Sequence, residues 1–119
     1  MSDIEKDNKC SLFREYYESG NIFYETIIDI NGHIQGEYIS YHDIDGAIEN
    51  KCFCKDNKSI GINTFYKKDG SINIISFCSM INLGERIDEH EHKKELAMLR
   101  LGLIDVPEFG LFIKDYEGD

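Results

Sequence analysis

The chain has no tryptophan, one proline (Pro107), and no apolar run approaching the ~18 residues that a membrane span requires. Basic residues are also scarce: 13 against 23 acidic among 119 residues, a formal net charge of −10. At that charge the phosphate backbone of nucleic acid and the headgroups of anionic lipid repel the chain as a whole, so neither is an expected ligand. The first nine residues are mostly polar or charged and lack the apolar core of a secretion signal, which points to a cytoplasmic protein. In such a chain the four cysteines (Cys10, Cys52, Cys54, Cys78) read as reduced thiols, not as a disulfide framework. The length is that of a single domain.

What is present is glycine and aromatic residues: ten Gly, seven Tyr and seven Phe. Aligning the glycines exposes a period of about 23 to 25 residues. Three segments superpose, running from Leu12 to Ile22, Gly36 to Ile48 and Gly61 to Ile72. Each carries a Tyr (Tyr16, Tyr41, Tyr66), a polar turn closed by Gly (Gly20, Gly46, Gly70) and an Ile two residues later (Ile22, Ile48, Ile72). A second apolar run then leads to the next opening glycine. One unit is therefore a β-hairpin, and since a lone hairpin is marginal in water, successive hairpins must stack. Stacking predicts ladders of Tyr16, Tyr41 and Tyr66, with Arg14, Ile39 and Thr64 beside them; of Ile27, Phe53 and Phe77; and of Ile28, Cys54 and Cys78. The Tyr and Ile/Phe ladders are expected to be buried.

The pattern Tyr-x-x-x-Gly-x-Ile, followed by a strand and an Asn-Gly or Asn-x-x-x-Gly turn, resembles the MORN repeat in the bacterial variant described as the antitoxin half of toxin–antitoxin pairs. The resemblance covers residues 12 to 84. It departs from the family pattern where Gly46 comes one residue late after Tyr41, where Ser11 replaces an opening glycine, and where Asn57 takes the first position of the Gly-x-x-x-Gly spacing kept at Gly32 and Gly36.

After Gly84 the period breaks. Residues 88 to 100 contain no Gly or Pro and open on Asp88-x-x-Glu91, a capping-box-like start, so a helix of about three turns is expected, with Gly102 as its stop. Leu96 and Leu99, with Ile87, His92 and Leu103, share its apolar stripe. Phe109 to Tyr116 reads either as a final strand or as an anchored tail. The expected fold is mainly β: an N-terminal arm (1–11), three stacked antiparallel hairpin repeats (12–84), and a C-terminal α-helical cap with a tail (85–119) that covers the open end of the array.

Chemistry is sparse. His90-Glu91-His92 lacks the i, i+3 or i, i+4 spacing of a helical metal pair, and Cys52-Phe53-Cys54 lacks the Cys-x-x-Cys spacing of a zinc knuckle. His33 and His42 read as solvent-exposed turn residues. No nucleophile or phosphate-loop motif is present, so neither an enzyme nor a cofactor or metal site is expected.

What remains is binding. A regular surface of Tyr, Phe and Ile supplies rigid anchors, and acidity favours a basic partner. The expected function is non-enzymatic inhibition, either as an antitoxin or immunity protein holding a toxin, or as a virus-encoded inhibitor of a defence nuclease such as a CRISPR effector. MORN-type scaffolding is a third reading. Residues 85 to 119 hold ten acidic against five basic residues, half of the net charge. Glu85, Asp88, Glu89, Glu91 and Glu95 are therefore the candidate partner-binding residues. The array is expected as a monomer, or as a homodimer through an exposed strand edge.

Overall fold

Period-two runs of β-branched and aromatic residues extend the backbone, and each run stops at a turn sequence. In a computed structural model, which describes residues 10–104, these runs form six long strands: β1 (Cys10–Tyr16), β2 (Ile22–Asp29), β3 (Ile34–Tyr41), β4 (Ile48–Lys55), β5 (Lys58–Tyr66) and β6 (Ile72–Cys78). A two-residue strand, β7 (Arg86–Ile87), and one helix, α1 (Glu89–Arg100), follow. All seven strands pair in chain order as a single antiparallel meander. The expected hairpins are thus β1–β2, β3–β4 and β5–β6. Cys10 and Ser11, expected in the N-terminal arm, belong to β1, paired with Asp29 and Ile28.

The repeat is visible in the irregularities of the ladder as well as in its strands. Register breaks beside the Tyr of every hairpin: between Glu15 and Tyr16, between Ser40 and Tyr41, and between Phe65 and Tyr66. The pairings that join one hairpin to the next break at Thr26/Ile28 and Lys51/Phe53. Bulges bend a strand and increase its twist, so five bends recur with the period. Turns repeat too. Tyr17 N–H donates to Asn21 O (2.8 Å) and Lys67 N–H to Ser71 O (2.8 Å), closing matched turns. The late Gly46 is absorbed by one extra residue, His42 N–H reaching Ala47 O (2.8 Å). At the opposite end Asn57 takes φ +70°, the left-handed conformation that Gly adopts without cost, and Asp56 precedes it at φ +49°.

Contacts 24 residues apart tie neighbouring hairpins. Tyr17 Oη donates to Tyr41 O (2.7 Å), and one repeat later His42 Nε2 lies 3.3 Å from Tyr66 O. His42 is half-buried by that contact, contrary to its reading as a solvent-exposed turn residue; His33 is exposed as expected.

The described residues measure 45 × 43 × 21 Å, and among them a second layer lies over one end of the sheet only. That layer is α1. Asp88 accepts from Glu91 N–H (2.8 Å) as the N-cap. The other end closes with Gly102 N–H donating to Leu99 O and Leu103 N–H to Met98 O, a Schellman pair around a positive-φ glycine. Leu96 and Leu99 pack on Ile60, with Phe53, Met80, Leu83 and Ile104 around them. His92 lies against Phe77, ring centroids 4.8 Å apart.

With α1 over β5 and β6, the Tyr ladder is not a core. Tyr16 is 56% exposed, and Tyr41 and Tyr66 are half-buried, because among the described residues no element covers β1 and only partial cover reaches the hairpin ends. Ile27, Phe53 and Phe77 are likewise half-buried, and Leu103, expected on the helix stripe, is 67% exposed. Residues 109–116 lie outside the described residues. Among those described, no helix is long and apolar enough to cross a membrane.

Candidate binding surface

The five acidic residues expected to meet a partner divide. Glu85, Asp88, Glu89 and Glu91 are exposed around the start of α1, whereas Glu95 is 6% exposed. Its carboxylate accepts from Ser79 Oγ (2.6 Å) and Met80 N–H (2.7 Å), while Ser79 Oγ in turn accepts from Ile81 and Asn82 N–H (3.1 and 2.8 Å). Glu95 therefore fastens α1 to the loop after β6 and presents no charge to a partner. Of the other four, Glu89 pairs with Lys93 (3.5 Å) and Glu91 with Lys94 (3.3 Å), exposed helix pairs of small energy. His90 is exposed and His92 buried, so the His-Glu-His run does not converge on one point.

Aromatic side chains gather at the other end of the molecule. Residues opposite each other in an antiparallel pair share a face; Phe13 pairs with Thr26, Thr26 with Tyr38 and Tyr38 with Cys52, on the face away from α1. There Tyr24 stacks on Tyr38 (centroids 5.2 Å, interplanar 26°), Phe13 lies 6.2 Å from Tyr24, and Phe23 meets Tyr24 edge-on at 5.3 Å. Tyr17 continues the series at 4.8 Å from Phe23. Phe13 and Phe23 remain 36% and 39% exposed. Burial pushes the Tyr24 and Tyr38 hydroxyls above the usual phenol range, so both stay protonated donors at neutral pH. No family model, curated protein or solved structure matches this chain.

On the helix side, β1–β3 carry a polar triad at their centre. Glu25 accepts from Tyr41 Oη (2.6 Å) and Arg14 Nε (2.8 Å). Those two bonds hold the Glu25 carboxyl below its ordinary range, Tyr41 first and Arg14 second, while burial and the same bond push Tyr41 up to about 12. Between α1 and the sheet runs an open groove of about 560 Å³, floored by Ile62, Ile72, Ile75 and Phe77 and rimmed by Lys93 and Arg100. Sequence reaches the aromatic cluster only in part: the repeat predicts a Tyr ladder at residues 16, 41 and 66, but the packed rings are at 24 and 38, in the strands between the signature positions.

Proposed function

We propose that this chain is a non-enzymatic inhibitor that neutralises a partner protein by binding it, in the manner of an antitoxin or immunity protein. The observation that carries the reading is the aromatic series Tyr17, Phe23, Tyr24, Tyr38 and Phe13, already packed ring on ring on a sheet end that α1 leaves bare. Aromatic anchors fixed before docking lose little conformational entropy on binding, which is why such residues dominate interface energies. The net charge of −10 favours a basic partner, such as a nuclease toxin, and accelerates encounter without setting the final affinity. Glu85, Asp88, Glu89 and Glu91 add to that field at long range. The MORN resemblance supplies the biological setting.

The test is reconstitution. A partner captured from the native cell is purified, and its activity is titrated with this chain. The expected result is loss of activity complete at a fixed stoichiometry, with association slowed by raised salt. A partner that binds yet keeps full activity would contradict inhibition.

A further inference from the structure

β1 is the edge of the sheet, with β2 on one side and no described strand on the other. Alternate residues of an edge strand direct N–H and C=O groups away from the sheet, a template for one more strand. All seven residues of β1 are exposed. Three of them are large and apolar: Leu12 is 54%, Phe13 36% and Tyr16 56% exposed. Edges that stay single are blunted by shortness, Lys, Pro or a bulge. β1 is a full seven residues without Lys, Pro or Gly. The extra residue where its register breaks, Phe23, belongs to β2, so β1 itself runs unbroken.

We propose that β1 pairs antiparallel with β1 of a second copy, about a two-fold axis normal to the sheet. Seven strands from each chain then form one continuous sheet. Such an axis keeps opposed side chains on one face. With Phe13 on the axis the strand overlaps its copy along its whole length: Phe13 faces Phe13, Leu12 faces Arg14, Ser11 faces Glu15 and Cys10 faces Tyr16. No like charges oppose each other. Moving the axis to Arg14 would set that guanidinium against its own copy and leave Cys10 and Ser11 beyond the end of the facing strand. Moving it to Leu12 would do the same to Glu15 and Tyr16.

Charge also selects a second copy. The chain carries −10, yet β1 is neutral, Arg14 balancing Glu15. Half of the net charge lies in residues 85–119, whose helix sits over β5 and β6. Those strands are four and five positions from β1, about 19 to 24 Å. Pairing at β1 therefore keeps the two most acidic segments several Debye lengths apart. The chain's own residues 1–9 are a poorer occupant, since Asp3, Glu5, Lys6, Asp7 and Lys9 break the apolar alternation of a strand. Phe13 lies 6.2 Å from Tyr24, which stacks on Tyr38, so the axis joins the aromatic series of both copies into one surface. The pairing stands without the inhibitor reading, and where that reading holds it doubles the surface offered to the partner. Seven residues a side cover less than the ~1,600 Å² of a standard interface, so the dimer is weak, with Kd of about micromolar order.

Sedimentation velocity on the purified full-length chain, without any partner, is the test. A reversible monomer–dimer equilibrium is expected, and a chain that stays monomeric up to about 1 mM would overturn the pairing. Phe13→Lys sets two ammonium groups against each other on the axis and should weaken dimerisation at least tenfold. Leu101→Lys, at a residue 74% exposed beyond α1, should leave it unchanged. Equal effects of the two would overturn the assignment to β1. A circular-dichroism melt checks that each variant folds. Oxidation reads the register independently. Directly opposed residues have Cα atoms about 4.5–5.5 Å apart, so Phe13→Cys should give a covalent dimer. The unaltered chain should give none through Cys10, which lies six positions, about 20 Å, from Cys10 of the second copy. A covalent dimer through Cys10, or none from Phe13→Cys, would overturn the register. Failure here leaves inhibition of a partner untouched, because no partner is present in either measurement.

Discussion

Glu95 shows how one buried carboxylate can organise a helix and a loop together. It satisfies Met80 N–H and Ser79 Oγ, and Ser79 holds the next two amides. Removing its oxygens would strand buried donors, which costs more than the net value of the bonds themselves. Glu95→Ala is expected to destabilise the protein by about 3 kcal/mol and Glu95→Gln by about 1 kcal/mol, measured by urea denaturation followed by circular dichroism. Equal costs for the two variants would count against this account. The burial of Glu95 had a sequence signal that its charge masked: His92, Glu95, Leu96 and Leu99 stand at i, i+3, i+4 and i+7, the stripe of an amphipathic helix. Composition groups Glu95 with the acids around it, whereas periodicity points it inward.

The Glu25 triad makes a prediction in pH. Because its folded pKa is depressed, Glu25 contributes stability that is present above the ordinary glutamate range and lost as pH falls through the folded value. Tyr41 works in the opposite sense: raised to about 12, it contributes stability that is fully present below the ordinary phenol range near 10 and lost as pH rises through about 12. Tyr41→Phe should cost about 1 kcal/mol at neutral pH and shrink both the acid and the alkaline losses. Thermal midpoints across the pH range check this; a variant whose acid limb matches the parent would contradict the role of the Tyr41 bond. The triad is invisible in sequence because Glu25 belongs to no ladder position; pairing brings it between Arg14 and Tyr41.

At the scale of elements, hairpins were readable because their determinants are local. Tyr, Gly and Ile at fixed offsets mark where each strand turns, and the turns at 17–21 and 67–71 use the same bonds. Local pattern also located α1, whose N-cap Asp88 and stop Gly102 are those expected. Depth was not readable, since burial of a ladder depends on what lies over it, and α1 lies over β5 and β6, reaching only Phe53 of β4. The middle turn offers a direct test of repeat equivalence. Ile44, 86% exposed, is the surplus residue between His42 and Ala47. Deleting it should convert that loop to the geometry of the other two and change stability by no more than about 0.5 kcal/mol. A chain that no longer folds would show that the middle turn is a different structure, not a lengthened copy.

At the scale of the molecule, the described residues are arranged asymmetrically: a two-layered, helix-covered end and an end with a single described layer that bears packed aromatic rings. Stability is concentrated in the first, around Ile60, Leu96 and Leu99, which leaves the second free to be chosen for binding. Phe13 and Phe23 are exposed enough to be truncated with little effect on folding. The direct measurement is therefore the affinity of the purified inhibitory complex, by calorimetry, for the parent chain and for Phe13→Ala and Phe23→Ala. We expect each substitution to weaken binding about tenfold or more with the melting midpoint nearly unchanged. Affinities equal to the parent's, with the fold intact, would contradict the claim that this aromatic end is the surface that holds the partner.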